Sequence, residues 1–311
     1  MAGLGQFVGT EFFVRARMNG FTQLGGEPVQ LWFFDLDSSN AGFMGDRFLP
    51  SVHLELIQDQ LTSIHFSNQS NMDHTIHLHG MDVDQANDGV DSTSMAIPPF
   101  GNFTYQFIAP FAGTYHYHCH IDTVLHYHRG MAGTVIVRPP GAELNLAWEG
   151  GPKFDEEVLW QLSTYDLSWD MQESSEITAR HRPSVFLLNG LESAEAQVCP
   201  YTVIKMGIGQ VGYLRVVNQA YQFARFSLAG LPFQVVASDG RPMPKPITTD
   251  NWEIGTGERY DVLFSSPVPF QGLATVDYLD DYTGKVIGQV STVIDINLRR
   301  GVSDGTVGFP G

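Results

Sequence analysis

The chain has 311 residues, room for one large or two ordinary domains, with 12% aromatic and only 16% charged residues and plentiful Gly (32) and Pro (17), the profile of a well-buried, loop-rich β protein. Its formal net charge of −17 argues against nucleic acid or an anionic membrane surface as partner, since both attract Lys and Arg. No apolar run reaches the length of a membrane span, and the start MAGLGQFVGT shows no signal-peptide pattern, which leaves the compartment open.

In chain order, short runs rich in Val, Ile, Phe, Tyr and Thr alternate with Gly, Pro, Asn and Asp. SVHLELI, LTSIHFSN, FTYQFIA, GTYHYHCHI and GTVIVRP predict strands in the first half. EVLWQLS, YTVIKM, VGYLRVVN, FQVVASDG, YDVLFSS, LATVDYL and STVIDINL do so in the second. No stretch keeps a helical period over three turns. Evenly spaced strands of this kind predict an all-β fold of sandwiches or barrels. Between the halves lies a stretch rich in Pro, Gly and charge, Arg138–Glu157, which reads as a linker. The chain thus divides into a first domain at 1–140, a linker at 141–157, a second domain at 158–298 and a tail at 299–311.

Ten of the eleven histidines precede residue 139, so histidine chemistry belongs to the first domain. His181, in TARHRPSV, is expected on a surface loop. The two cysteines are not read as a disulfide, because Cys119 sits where a thiolate ligand is the better use. Cys199 reads as an ordinary buried or half-buried thiol.

Successive side chains on a strand point to opposite faces. On GTYHYHCHI, His116, His118 and His120 therefore share one face and Cys119 points to the other. In DHTIHLHG, His77 and His79 share a face while His74 points the opposite way. Parity proposes two sets: His74 with Cys119 inside the sandwich, and His77, His79, His118 and His120 on an outward face. The loop after Cys119 offers His126, His128 and Met131 to complete the inner set. Two imidazoles, one thiolate and one weak thioether describe a blue (type 1) copper site. A structural zinc site is the competing reading, but zinc favours four strong N/S donors and would waste the thioether.

These residues carry a family resemblance. HTIHLHG (His74–Gly80) resembles the HPxHxHG motif of multicopper oxidases. HCHIDTVLHYHRGM (His118–Met131) resembles their HCHxxxHxxxGM motif, with two extra residues between Cys and the next His. FLLNG, YLRVVNQA, VVASDGRPM and IGTGERYDVLF in the second half are similar too, so the resemblance spans almost the whole chain. The arrangement is similar to two-domain laccase-like blue copper oxidases with type 1 copper in the first domain. It implies two cupredoxin-like Greek-key β-sandwiches, copper as cofactor, a homotrimer, a small-molecule or protein electron donor, and a periplasmic or secreted location. Carried over by residue, His74, Cys119, His126 and Met131 match the type 1 ligands; His126 is preferred to His128 because the family keeps five residues from His to Met. His77 matches a type 2 copper ligand, and His79, His118 and His120 match ligands of the type 3 pair. Cys119 and its flanking histidines match the electron route, entered at an edge of His126, the ligand nearest the surface in family members. Asp88, in NDGV, matches an acid associated with proton supply; taken alone it reads equally as an Asp–Gly turn.

The chain also departs from the pattern. In such relatives the second domain of a neighbour supplies an HxHG and an HxH to complete the trinuclear cluster. Here the corresponding stretches read Ser227-Leu228-Ala229-Gly230 and Asp277-Tyr278-Leu279, so the four partner histidines are missing. Three readings stand: a copper redox protein with weak or lost oxygen reduction, a laccase-like oxidase completing its cluster through unusual ligands or another chain, and a copper-buffering protein. The spare histidines His53, His65, His116 and His128 suit the third slightly, although extra histidines near metals also serve as supporting partners. A copper nitrite reductase fits less well, because His77 occupies the position of its catalytic Asp.

Overall fold

The computed structural model describes residues 4–5, 8–37, 48–170 and 180–298; the tail expected at 299–311 lies outside the described residues. The first half contains β1 (Glu11–Leu24), β2 (Glu27–Leu36), β3 (Leu54–Ile57), β4 (Leu61–Asn68), β5 (His77–His79), β6 (Asn102–Ile108), β7 (Gly113–His118), a short helix α1 (Thr123–His128) and β8 (Ala132–Arg138). The second contains β9 (Glu156–Tyr165), β10 (Val185–Leu188), the single turn α2 (Ser193–Ala196), β11 (Ile204–Gly207), β12 (Gly212–Asn218), β13 (Phe223–Ser227) and β14 (Phe233–Ser238). It ends with β15 (Arg241–Thr249), β16 (Asn251–Ile254), β17 (Arg259–Phe264), β18 (Phe270–Leu279) and β19 (Val286–Leu298).

Each half is a two-sheet sandwich. Sheets β2-β1-β4-β6 and β3-β8-β7-β5 enclose one core, and sheets β10-β9-β12-β17-β14-β15 and β11-β19-β18-β13-β16 enclose the other. Parallel pairs β1–β4, β3–β8, β9–β12 and β11–β19 sit among antiparallel ones, the Greek-key crossing that a plain meander lacks. The halves repeat each other, since β3-β8-β7-β5 in one sheet corresponds to β11-β19-β18-β13 in the other.

Alternation explains the simple strands. On β4, Thr62, Ile64, Phe66 and Asn68 are buried and the intervening residues are not, as a half-buried strand requires. By contrast β7, β8 and β12 are buried at every position, because the two halves pack on each other there. β1 and β2 were not among the predicted strands: β1 carries a register shift between Arg17 and Gly20, and such a bulge breaks the period that a sequence reading relies on. β15 escaped for another reason. Its Pro242, Pro244 and Pro246 suit only an edge strand, and β15 is the edge of its sheet.

A buried ion network joins the halves. Arg138 bonds Glu55 at 2.6 Å and Glu157 at 2.8 Å, and Arg215 bonds Glu157 at 2.7 Å. Thr114 donates to Asp261 at 2.6 Å and accepts from Arg215 at 2.8 Å. Burial by itself would raise the Glu55 carboxyl, but the His53 hydrogen bond and the Arg138 charge hold it down at about 2. The segment Arg138–Glu157, read as a linker, has its ends inside β8 and β9; Phe154 stacks on Tyr213 at 4.7 Å and Ala147 is fully buried.

Candidate metal centre

The inner set assembles where three segments meet. His74 is pinned to Ile97 by two backbone hydrogen bonds of 3.1 and 3.0 Å. Cys119 directly follows β7, and its N–H donates to the Met131 carbonyl at 3.1 Å. His126 lies in α1, and its carbonyl accepts from the Met131 N–H at 3.0 Å. The stretch expected as a loop forms a helix of six residues entered through Asp122 in the left-handed region (φ 44°). Residues two apart on a helix leave it about 200° apart, so His126 and His128 point to opposite sides.

His74, Cys119, His126 and Met131 are all completely buried. Cys119 Sγ lies 3.5 Å from His74 Nδ1 and 3.2 Å from His126 Nδ1, and the three ligand atoms lie within 4.8 Å of one another. Metal–nitrogen and metal–thiolate bonds of about 2.0–2.3 Å place trigonal ligands about 3.5–4.0 Å apart, so the triangle fits one ion. Burial holds His74 down at about 3, aided by His126, and His126 at about 4, so both rings keep free lone pairs at neutral pH. Burial likewise pushes the Cys119 thiol up to about 12; only a cation seated beside the sulfur would make it a thiolate there. One expectation is corrected. The His126 edge is not near the surface, because Trp32 stands edge-on over it with ring centres 5.1 Å apart.

The outer set rests on the β5–β7 ladder, which places His77 opposite His118 and His79 opposite His116. Ligand atoms of His77, His79 and His118 lie within 4.8 Å of one another. His120 lies beyond the strand end. Its ring centre is 5.3 Å from that of His77, its N–H donates to Thr75 Oγ1, and its Nδ1 meets Asp91 at 3.1 Å. His116 joins the same face and packs against His79 with ring centres 4.2 Å apart.

Supporting contacts orient these rings. His118 Nδ1 donates to the Cys119 carbonyl at 3.0 Å, which turns its Nε2 toward His79. His77 Nδ1 donates to the Asp88 carbonyl at 2.8 Å, with the Asp88 carboxylate 3.3 Å away. Gly89 makes that turn possible: at φ 75° a Cβ there would lie 1.8 Å from the Ile76 carbonyl. Burial, then the Arg259 charge, holds His79 at about 4, and burial holds His118 at about 3. Arg259 reaches this site from the second half and crowds Gly80 so closely that any side chain there would collide with it.

Sequence reasoning missed Asp91, Thr75, Arg259 and Trp32. Asp91 offered one signal, a second carboxylate three residues after Asp88; Thr75 lies within HTIHLHG itself, and Arg259 and Trp32 arrive from distant segments. Among the spare histidines, His53 bonds Glu55 and His65 bonds Glu11 and Thr104. His128 packs against Tyr165 at 4.2 Å, away from the inner set. His181 is not on the surface: it is 7% exposed, packed against Trp169, Tyr221 and His128. A distant loop closes over it, which local sequence does not reveal.

In the second half, β13 pairs with β18 as β5 does with β7. Counted from Ser227, the ladder sets Ser227 opposite Thr275, with side-chain oxygens 3.0 Å apart, and Arg225 opposite Asp277. Asp277 is bonded by Gln289 at 2.6 Å and Leu279 is buried. No imidazole stands at any of these positions.

Comparison with known proteins follows the same division. Multicopper oxidase family models match residues 34–142 and 160–269. Oxidoreductase OpS5 of Beauveria bassiana is 30% identical over 242 residues, 72% of this chain and 39% of its own. A laccase of Arthroderma benhamiae is 26% identical, over 77% of this chain and 41% of its own length. The chain thus spans about two fifths of these relatives. The blue copper oxidase of Nitrosomonas europaea superposes with a TM-score of 0.71 at 26% identity, covering 92% of this chain and 85% of that one.

Proposed function

The chain belongs to the multicopper oxidase family, and on that premise we propose that it is a copper-binding redox protein with weak or absent oxygen reduction. Copper as cofactor follows from the family. In this reading His74, Cys119, His126 and Met131 hold type 1 copper, and His77, His79, His118 and His120 form half of a trinuclear site or a smaller second copper site. The donor chemistry supports the inner assignment: two neutral imidazoles and a buried thiol converge with Met131 tied to both flanking ligands through its backbone. Bound copper supplies one-electron redox chemistry.

The residues contribute the rest. Burial keeps water from the inner ligands, and Trp32 holds the His126 ring in place. The His118 hydrogen bond to the Cys119 carbonyl joins the inner and outer sets by a short path through one residue. Asp88 orients His77, and its carboxylate is placed to hold a proton beside that ring. A neighbouring copy packed over the His face, in a homotrimer, would present the β13–β18 ladder or its surroundings to it.

One observation carries the reading: on the face corresponding to the histidines, the second-half ladder bears Phe223, Arg225, Ser227, Thr275, Asp277 and Leu279 and no imidazole. His181, buried at the boundary between the halves, cannot reach that face. Copper per subunit, visible and EPR spectra, and oxygen uptake with a phenolic donor test it. One blue copper per chain, substoichiometric copper at the outer set and no uptake is the expected result. Four coppers per chain with turnover would overturn it.

A further inference from the structure

His128 and His181 form a third histidine group that neither copper assignment uses. They come from α1 and from the loop before β10, and their ring centres are 5.4 Å apart. Both are more than nine-tenths buried. Among the described residues neither nitrogen of His128 has a protein partner, and His181 Nε2 has none. An unpaired buried polar group is costly, so one such nitrogen on each of two neighbouring rings points to a shared ligand.

We propose that His128 and His181 together bind a soft monovalent cation, Cu(I), between the two halves. The geometry permits it. A nitrogen sits about 1.1 Å from its ring centre, and a metal–nitrogen bond is about 2.0 Å, so two imidazoles sharing an ion have centres at most about 6.2 Å apart. A separation of 5.4 Å corresponds to a bent, open coordination.

The surroundings select low charge. Tyr165, Trp169 and Tyr221 wall the rings. The acids of that wall are already engaged: Asp170 accepts from Arg129 and Tyr165, and Asp166 from Ser168 and the Arg182 N–H. Arg129 and Asp170 offset each other, and Asp166, bonded among the described residues only by neutral N–H and O–H groups, leaves one negative charge beside His181, which compensates a monovalent ion and only half of a divalent one. His181 can present the right lone pair, because Gln222 bonds its Nδ1 at 3.1 Å and Thr164 bonds Gln222 at 2.8 Å. Rotating that amide lets Nδ1–H donate and frees Nε2. The leftover N–H of His128 has its own recipient: a cavity lined by His128, Ser163, Tyr165 and Tyr221, with ≈ 20 Å³ of room for a water's centre, fits about one water. Ser163 Oγ, also without a protein partner, would share it.

The test uses the full chain, reduced and titrated anaerobically with Cu(I) against a Cu(I) chelator, followed by diffraction from Cu(I)-soaked crystals at the copper absorption edge. Wild type should hold one more Cu(I) than His181→Gln, with both regaining the same visible band on reoxidation. An anomalous peak should lie within bonding distance of both rings. Equal copper in wild type and variant would overturn the proposal. So would a water and no anomalous peak between the rings when the inner site is filled. Should His181→Gln not fold, the wild-type diffraction decides alone.

Discussion

Across the β5–β7 ladder His77 faces His118 and His79 faces His116, whereas across β13–β18 Ser227 faces Thr275 and Arg225 faces Asp277. The inward residues of both ladders are alike: Leu78 and Tyr117 in one, Phe226 and Val276 in the other, all buried. The face that folds the sheet is kept in both halves, and the face of clustered histidines is present in one. A side-chain cluster of this kind is separable from the fold that carries it, and the second half contributes packing, Arg259 and part of the ion network instead.

The sharpest break between the halves should come from Cys119→Ser. The variant is expected to lose the intense visible band completely after copper loading, while the outer set still takes up copper by EPR; a surviving blue colour would place that chromophore elsewhere. Next in size is Arg138→Ala, which cuts the join between halves and leaves Glu55 buried with no cation but the His53 ring beside it, and Glu157 with Arg215 alone. Urea unfolding should show a loss of about 3–5 kcal/mol, and a loss below 1 would mean the halves do not depend on that contact.

Acid probes the same join. The Glu55 carboxyl lies at about 2 against an ordinary 4.5, so its contribution is complete above the ordinary value and fades as pH falls toward 2. The loss, on the order of 3 kcal/mol, should be absent from Glu55→Gln, read as stability against pH. A smaller effect is expected from Asp91→Ala, which releases His120 Nδ1: outer copper should weaken by about 10-fold with the blue band unchanged. The smallest is Asp277→Asn, expected to leave copper content as it was. A fall in outer copper there would show that the His-free ladder supplies a ligand after all.

Much of this was legible in the sequence, because strand parity is a local property. His74 and Cys119 fall inside and His77, His79 and His118 outside by counting alone. What parity could not reach was decided by distant contacts. His181 looks like a loop histidine until Trp169 and Tyr221 close on it. His126 looks like an exposed entry edge until Trp32 of β2 covers it. His120 keeps its face but not its strand, since β7 ends at His118. The lengthened Cys-to-His loop carried no helical period because six residues are too few to show one.

That short helix has a mechanical consequence. α1 meets the inner set with His126 on one side and the second half with His128 on the other, so six residues of helix couple the packing of one to the other. Repacking Tyr165 or Trp169 would therefore move the support on which the His126 ring is held. The wall between the halves is then a tuning screw, reachable by substitutions that touch none of the inner set.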